Sequence, residues 1–173
     1  METKSVANGD KNLILDVKNL KTQFFTEGGV VRAVDGVDFQ VKRGEVVGIV
    51  GESGCGKSVT SLSIMRLIGQ PGRIIEGEII FDGQDLLELS ESKMVTMRGN
   101  RMSMIFQQPQ SSLNPVFRVG DQLSEVLSIH QDMGKEAGNK RAVELLAMVG
   151  VPDPESRVQA FPMNCPVAWP SVS

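Results

Sequence analysis

The chain is short of cysteine, histidine and charge of one sign. Of its 173 residues, only Cys55 and Cys165 are thiols, too few for the disulfide framework of a small secreted domain. His130 is the single histidine. It has no evident partner for a metal site or a nucleophilic triad, so a structural or surface role is expected. Lys plus Arg number 18 against 21 for Asp plus Glu, a net charge of −3, and that balance does not point to nucleic acid. No apolar run approaches the roughly 20 residues needed to span a bilayer. The N-terminal METKSVANGDKNLILDV has no apolar stretch of signal-peptide length. These shortages argue against secretion, membrane spanning, collagen-like repeats and wholesale disorder. What is present is ordinary for a globular protein, with 40% hydrophobic and 23% charged residues. The expectation is a cytosolic α/β protein with room for a membrane partner.

Periodicity divides the chain into elements. Residues 1–11 are polar and expected to fray. Leu13 to Phe25 alternates apolar and polar residues and predicts a strand. Val30 to Val41 predicts another, with Val37 and Phe39 on one face and Asp38 and Gln40 on the other. The run EVVGIV at 45–50 is apolar and β-branched, which predicts a strand buried on both faces. VTSLSIMRLI has helical spacing, with Leu62, Met65, Leu67 and Ile68 as expected core contacts and a stop at Pro71-Gly72. A strand is expected at Glu78 to Phe81, a short helix at 91–98, a further strand at 101–108, and helices over Asp121–His130 and Lys135–Val149. Met94, Met97, Met102 and Met104 are expected to fill gaps in the core. The acidic residues at 85, 88 and 91 are expected to form a solvated face.

The strongest signal follows the 45–50 run directly. Gly51-Glu52-Ser53-Gly54-Cys55-Gly56-Lys57-Ser58 matches G-x-x-x-x-G-K-[ST] in full, with an apolar strand pattern before it and a helical pattern after it. Glycines let the backbone wrap a polyphosphate closely. N–H groups of the loop and of the helix N-terminus then point at the anion. Lys57 brings a positive charge to the β- and γ-phosphates, and the Ser58 hydroxyl is placed to ligate Mg²⁺. Cys55 occupies a variable position and reads as a small filler.

Together with AVDGVDFQVKRGEVVGIVGESGCGKS and IFQQPQSSLNP, the loop resembles the ATP-binding subunits of ABC transporters, and more narrowly those of dipeptide and oligopeptide importers. The resemblance runs from about Leu13 to Pro162. It implies an α/β P-loop NTPase fold of the ABC nucleotide-binding type: an antiparallel β subdomain, the phosphate-loop strand and helix, and part of a helical subdomain. It implies ATP and Mg²⁺ as cofactors and an aromatic side chain stacked on adenine. Counting back from the loop favours Phe24 for that role, with Phe25 as its neighbour and competitor. Gln107, with Gln108 as competitor, resembles the glutamine that reaches Mg²⁺ and the attacking water. The stretch from Gln108 to about Gln122, with SerSerLeuAsnPro at 111–115 and ArgValGly at 118–120, resembles the loop that faces the permease. The implied partners are membrane permease subunits and a second ATPase subunit, at the inner face of the cell membrane. The transported substrate stays open among dipeptides, oligopeptides and nickel. The Gln107 loop and the 111–120 segment argue against a small-molecule kinase.

The pattern then stops. After residue 107 no apolar run ends in Asp-Glu, and no LSGGQ-like signature appears. Residues 12–162 are therefore expected to form a partial ATP-binding domain. Residues 163–173, MNCPVAWPSVS, carry no periodicity. If one base is restored before Met163, the tail's codons permit HELSGGMAQRV, in which Glu, Leu and Ala are forced. The expectation is a frameshifted tail on a truncated, hydrolysis-deficient importer subunit. The alternative is a non-hydrolysing nucleotide-binding module that docks on a permease. Truncation would leave Val46, Val47, Ile49 and Val50 without a sheet neighbour.

Overall fold

A computed structural model of the chain describes residues 12–107 and 112–164. Two compact units divide between Val95 and Thr96. The first is built on an antiparallel sheet of β1 (Leu13–Thr26), β2 (Gly29–Lys42), β3 (Gly72–Phe81) and the short β4 (Gln84–Asp85), in the order β2-β1-β3-β4. β1 pairs with β2 from Leu13↔Lys42 to Thr26↔Gly29, and with β3 from Leu15↔Phe81 to Phe24↔Gly72. Both ladders slip around Lys18–Lys21. There Asn19 adopts a φ of 46°, and its N–H donates to Asp38 Oδ1 at 2.8 Å. The bulge changes the inward parity, so that Val17 and Leu20, three residues apart, are both buried. With Ile79 and Leu86 they form the floor of the unit. Each such side chain contributes roughly 1.5–3 kcal/mol on burial.

Helix α1 (Lys57–Ile64) meets this sheet through small hydroxyl residues. Ser63 is fully buried, and its Oγ lies 2.8 Å from Thr22 Oγ1 of β1. Met65 is buried as expected from its spacing, whereas Leu67 is 40% exposed. The helix ends at Ile64, earlier than the apolar spacing predicts, and Arg66 takes a φ of 52°. A short helix, α2 (Glu91–Met97), follows β4, with Met94 buried.

In the second unit, α3 (Val119–Gln131) and α4 (Lys135–Met148) are joined by a three-residue connection, and α5 (Pro154–Arg157) follows. Ala142, Leu146 and Val158 form its core, with Leu123, Val143 and Val151 against them. The start of α3 is satisfied by the segment after α5: Val119 N–H donates to Ala160 O and Gly120 N–H to Val158 O.

Two expected strands are absent. Residues 45–50 adopt no regular structure, and Val46, Val47, Ile49 and Val50 are all exposed. Residues 103–106 are likewise irregular, with Ile105 89% exposed, and Met102 makes only an isolated bridge to Arg98. Both runs have strand composition, and neither has a neighbouring strand among the described residues. A strand without a ladder gains neither hydrogen bonds nor cross-strand contacts. Residue 108, the end of the second expected strand, lies outside the described residues.

Candidate functional site: the phosphate loop

The loop at 51–58 is exposed over Gly51–Cys55, with Gly56 and Lys57 half-buried and Ser58 exposed again. Gly56 forms the hinge between loop and helix. Its φ is 93°, and a Cβ there would strike the Ala33 carbonyl of β2, so only glycine fits. Its own carbonyl accepts from Thr60 N–H at 2.8 Å and from Thr60 Oγ1 at 3.0 Å, which starts α1. Among the described residues, nothing accepts from the N–H groups of Gly54, Gly56, Lys57 or Ser58. These donors lie at a helix start, where the peptide dipoles favour negative charge.

Lys57 closes the loop across its own span. Its Nζ donates to Gly51 O at 2.7 Å and Glu52 O at 2.6 Å, with Cys55 Sγ at 3.5 Å. A flexible ammonium held by backbone carbonyls keeps a cation on the same loop as the free N–H donors. Cys55 therefore sits as a small residue against the loop: a Cβ added at Gly51 would come within 2.6 Å of its Sγ. With the exposed Ser58 hydroxyl, this set of donors fits a polyphosphate with its divalent counterion. Among the described residues no cluster of three or more His, Cys, Asp or Glu could hold a metal ion by itself.

The other sequence-derived candidates fall in different places. Phe24 lies in the same unit as the loop and is half-buried. A Cβ at Gly72 would come within 2.7 Å of both Phe24 Cε1 and Ile68 Cγ2, so these two side chains close over Gly72. Phe25 is more exposed, at 44%, and the Arg73 guanidinium carbon lies 5.8 Å from its ring centre. Gln107 is exposed and belongs to the second unit; Gln108 lies outside the described residues. Of the segment expected to face a permease, residues 112–122 are described. Val116 and Phe117 are exposed there. The turn that presents them is held by Gln122 of α3, whose Oε1 accepts from Asn114 N–H at 2.9 Å and whose Nε2 donates to Asn114 O and Phe117 O. Sequence reading included Gln122 only as the end of a stretch. Its clamping role had no periodic signal, because the bond runs from a helix to an irregular turn. His130 is half-buried, and the space over Gly99 is filled by its ring.

A family model for ABC transporters matches residues 34–163, three-quarters of the chain and the whole phosphate loop. The chain belongs to the ABC transporter family. This ABC-family chain is 54% identical over 150 residues to the oligopeptide transport ATP-binding protein OppD of Bacillus subtilis, a match covering 86% of this chain and 42% of that protein. It is 48% identical over 149 residues to the dipeptide transport ATP-binding protein DppD of Escherichia coli, covering 86% and 46%. It thus spans a little under half the length of these curated relatives. Among solved structures, the dimeric bacterial ABC transporter cassette MJ0796 aligns with a TM-score of 0.74 at 25% identity, over 87% of this chain and 62% of that one. A second structure of that cassette, bound to ADP and Pi, aligns equally well. The fold is the α/β P-loop NTPase fold of ABC cassettes. Among the described residues no helix is long and apolar enough to cross a membrane.

Proposed function

We propose that this chain is the nucleotide-binding part of an ATP-binding subunit that powers uptake of dipeptides or oligopeptides through a membrane permease. The observation that carries the reading is the set of unpaired N–H groups of Gly54, Gly56, Lys57 and Ser58, with the Lys57 ammonium held across the same loop, in a chain about half identical to peptide-transport ATP-binding proteins. Gly51, Glu52, Ser53, Gly54, Cys55 and Gly56 wrap the phosphates through their backbone. Lys57 exchanges its carbonyl partners for phosphate oxygens, and the Ser58 hydroxyl ligates the divalent ion. Bound Mg²⁺ supplies positive charge where the β- and γ-phosphates meet. Phe24 is proposed as the adenine platform.

The proposed partners are permease subunits and a second ATPase subunit, at the inner face of the cell membrane. Exposed Val116 and Phe117, on a turn held rigid by Gln122, support the permease contact. Apolar residues on a stiff turn lose little entropy when a partner covers them.

Calorimetric titration with ATP and Mg²⁺ tests the main reading. The chain should bind, and Lys57→Ala should weaken binding by about 10- to 100-fold, as expected for lost hydrogen bonds to a charged group. Equal affinity in the two proteins, or no binding by folded wild type, would overturn it.

A further inference from the structure

Strand β3 begins with a glycine that its backbone does not require. Gly72 is buried and stands opposite Phe24 of β1. It is not among the residues with positive φ, so an L side chain could be built on that backbone. Phe25 N–H donates to Pro71 O at 3.1 Å, which makes Phe24 and Gly72 a non-hydrogen-bonded pair. Pairs of that kind bring their Cα atoms to about 4.5 Å. What excludes a side chain is the space above the glycine. A Cβ there would lie 2.7 Å from Phe24 Cε1, 3.0 Å from Phe24 Cδ1 and 2.7 Å from Ile68 Cγ2. One edge of the Phe24 ring therefore rests on Gly72, with Ile68 closing the same space. Residues two apart on a strand share a face. Thr22 lies against Ser63 of α1, their hydroxyl oxygens 2.8 Å apart, so Phe24 is on the α1 side. That helix starts at the phosphate loop. Phe25 is on the opposite face, with the Arg73 guanidinium beside its ring.

We propose that Gly72, with Ile68, is the seat that fixes the Phe24 ring in the orientation in which it stacks on adenine. This rests on the proposed role of Phe24 as the adenine platform, and it assigns part of the affinity for the base to a residue that never touches it. Gly72 is a positioning residue that acts through the ring. A platform already held in place loses little freedom when a ligand stacks on it, whereas a loose ring must be ordered at the moment of binding. Any side chain at 72 has to push the ring off the strand or displace Ile68. Alanine is the smallest such wedge, and it leaves the backbone of β3 as it is. All parts of the seat belong to the first unit, and its contacts are internal to that unit.

The test is a cycle of Phe24→Ala, Gly72→Ala and the double variant in the full chain. Each protein is titrated with ATP and Mg²⁺ and, in parallel, with inorganic tripolyphosphate and Mg²⁺, which offers phosphates without a base. Phe24→Ala should weaken ATP binding by about 5- to 50-fold, the range of a lost base–aromatic stack. Gly72→Ala should weaken it by roughly 5-fold or more, and should add nothing once Phe24 is alanine. Both variants should keep the wild-type affinity for tripolyphosphate. Urea midpoints of the same proteins read the seat without nucleotide. Gly72→Ala should be destabilising in wild type and clearly less so beside Phe24→Ala, and a Gly72→Ala chain that folds only in the double variant would show the same clash. Equal destabilisation in both backgrounds, or failure of both to fold, would mean that the glycine serves the strand alone and would overturn the proposal. So would parallel losses of ATP and tripolyphosphate in Gly72→Ala, since the damage would then reach the phosphate loop. If Phe24→Ala weakens ATP binding and a folded Gly72→Ala does not, the seat is refuted and the platform stands. If Phe24→Ala leaves ATP affinity unchanged, the platform falls and takes the seat with it.

Discussion

Strand β1 and the 45–50 run make an instructive pair, because the one with the stronger β composition is the one that forms no strand. Four of the six residues at 45–50 are β-branched, against four of fourteen in β1. Yet β1 is laddered on both edges, to β2 and β3, and buries Val17, Leu20 and Thr22. The 45–50 run has no neighbour among the described residues and leaves its apolar side chains in solvent. β propensity therefore measures how well a side chain suits a pleated, half-buried surface, and it is realised only when a second strand supplies that surface. Strand β1 receives its partner from a hairpin closed at Thr26 and Gly29, where Thr26 Oγ1 donates to Gly29 O at 2.8 Å. That partner is adjacent in sequence and costs little loop entropy.

The difference should be large in stability. Leu20→Ala leaves a cavity in a fully buried site and is expected to cost about 2–5 kcal/mol. Val46→Ala, at a site that is 96% exposed, should change stability by no more than about 0.5 kcal/mol. Urea denaturation at low protein concentration measures both. A loss at Val46 approaching that at Leu20 would mean that the run is packed in solution and would break the comparison.

A second measurement sharpens how the sheet holds the phosphate-loop helix. The Thr22–Ser63 hydroxyl pair is buried, and Ser63 Oγ also donates to Val59 O at 2.7 Å. Ser63→Ala strands the Thr22 hydroxyl and should cost about 1–3 kcal/mol. Adding Thr22→Val should recover much of that loss, because a buried hydroxyl without a partner is worse than none. If the double variant is no better than Ser63→Ala alone, the pair is not what joins β1 to α1.

These sites show what the sequence made legible. The phosphate loop could be read as a string, since its chemistry depends on consecutive backbone groups. Elements β1, β2, α3 and α4 emerged from periodicity, because each has a local partner or a face with a helical repeat. Strand β3 was read only in part, as Glu78 to Phe81 within Gly72–Phe81. The buried face of α1 and of the residues after it was read only in part, with Met65 buried as its spacing predicts. The apolar spacing also drew attention to the exposed Leu67, while the buried residues of α1 are Thr60 and Ser63 and the bond to the sheet is made by Ser63, small polar residues that hydropathy does not mark. The 45–50 and 101–108 strands were misplaced for one reason: composition gives a strand's sides and says nothing of its edges. Gln122 was missed because a side-chain clamp on a turn leaves no period.

The smallest effect lies on the rim of the same sheet. Lys21 Nζ donates to Glu76 Oε2 at 2.7 Å across the β1–β3 ladder, and Asn19 Nδ2 donates to Glu76 Oε1 at 2.5 Å. The hydrogen bond from Lys21, then its charge, hold the Glu76 carboxyl below its ordinary value of 4.5. A carboxyl whose pKa falls on folding stabilises the fold once it is ionised in both states. Its contribution is therefore complete above about pH 4.5 and fades as pH drops through the lowered folded value. Glu76→Gln removes the titration. Wild type should exceed the variant in stability by a small constant margin from pH 6 to 8, and the two curves should converge in the acid limb. The margin should also shrink in high salt, because the pair is open to solvent. The neighbouring Lys18 has the opposite sign. The hydrogen bond and charge of Asp16, followed by the weaker pull of Glu78, raise its ammonium above 10.5, so its contribution fades only as pH climbs through that raised value. Urea midpoints for Glu76→Gln across the acid range decide the matter. A margin that widens on acidification would show that Glu76 is better accommodated protonated than ionised. The β1–β3 rim would then owe nothing to this pair, and the ladder with its buried Val17, Leu20 and Ile79 would account for the strand by itself.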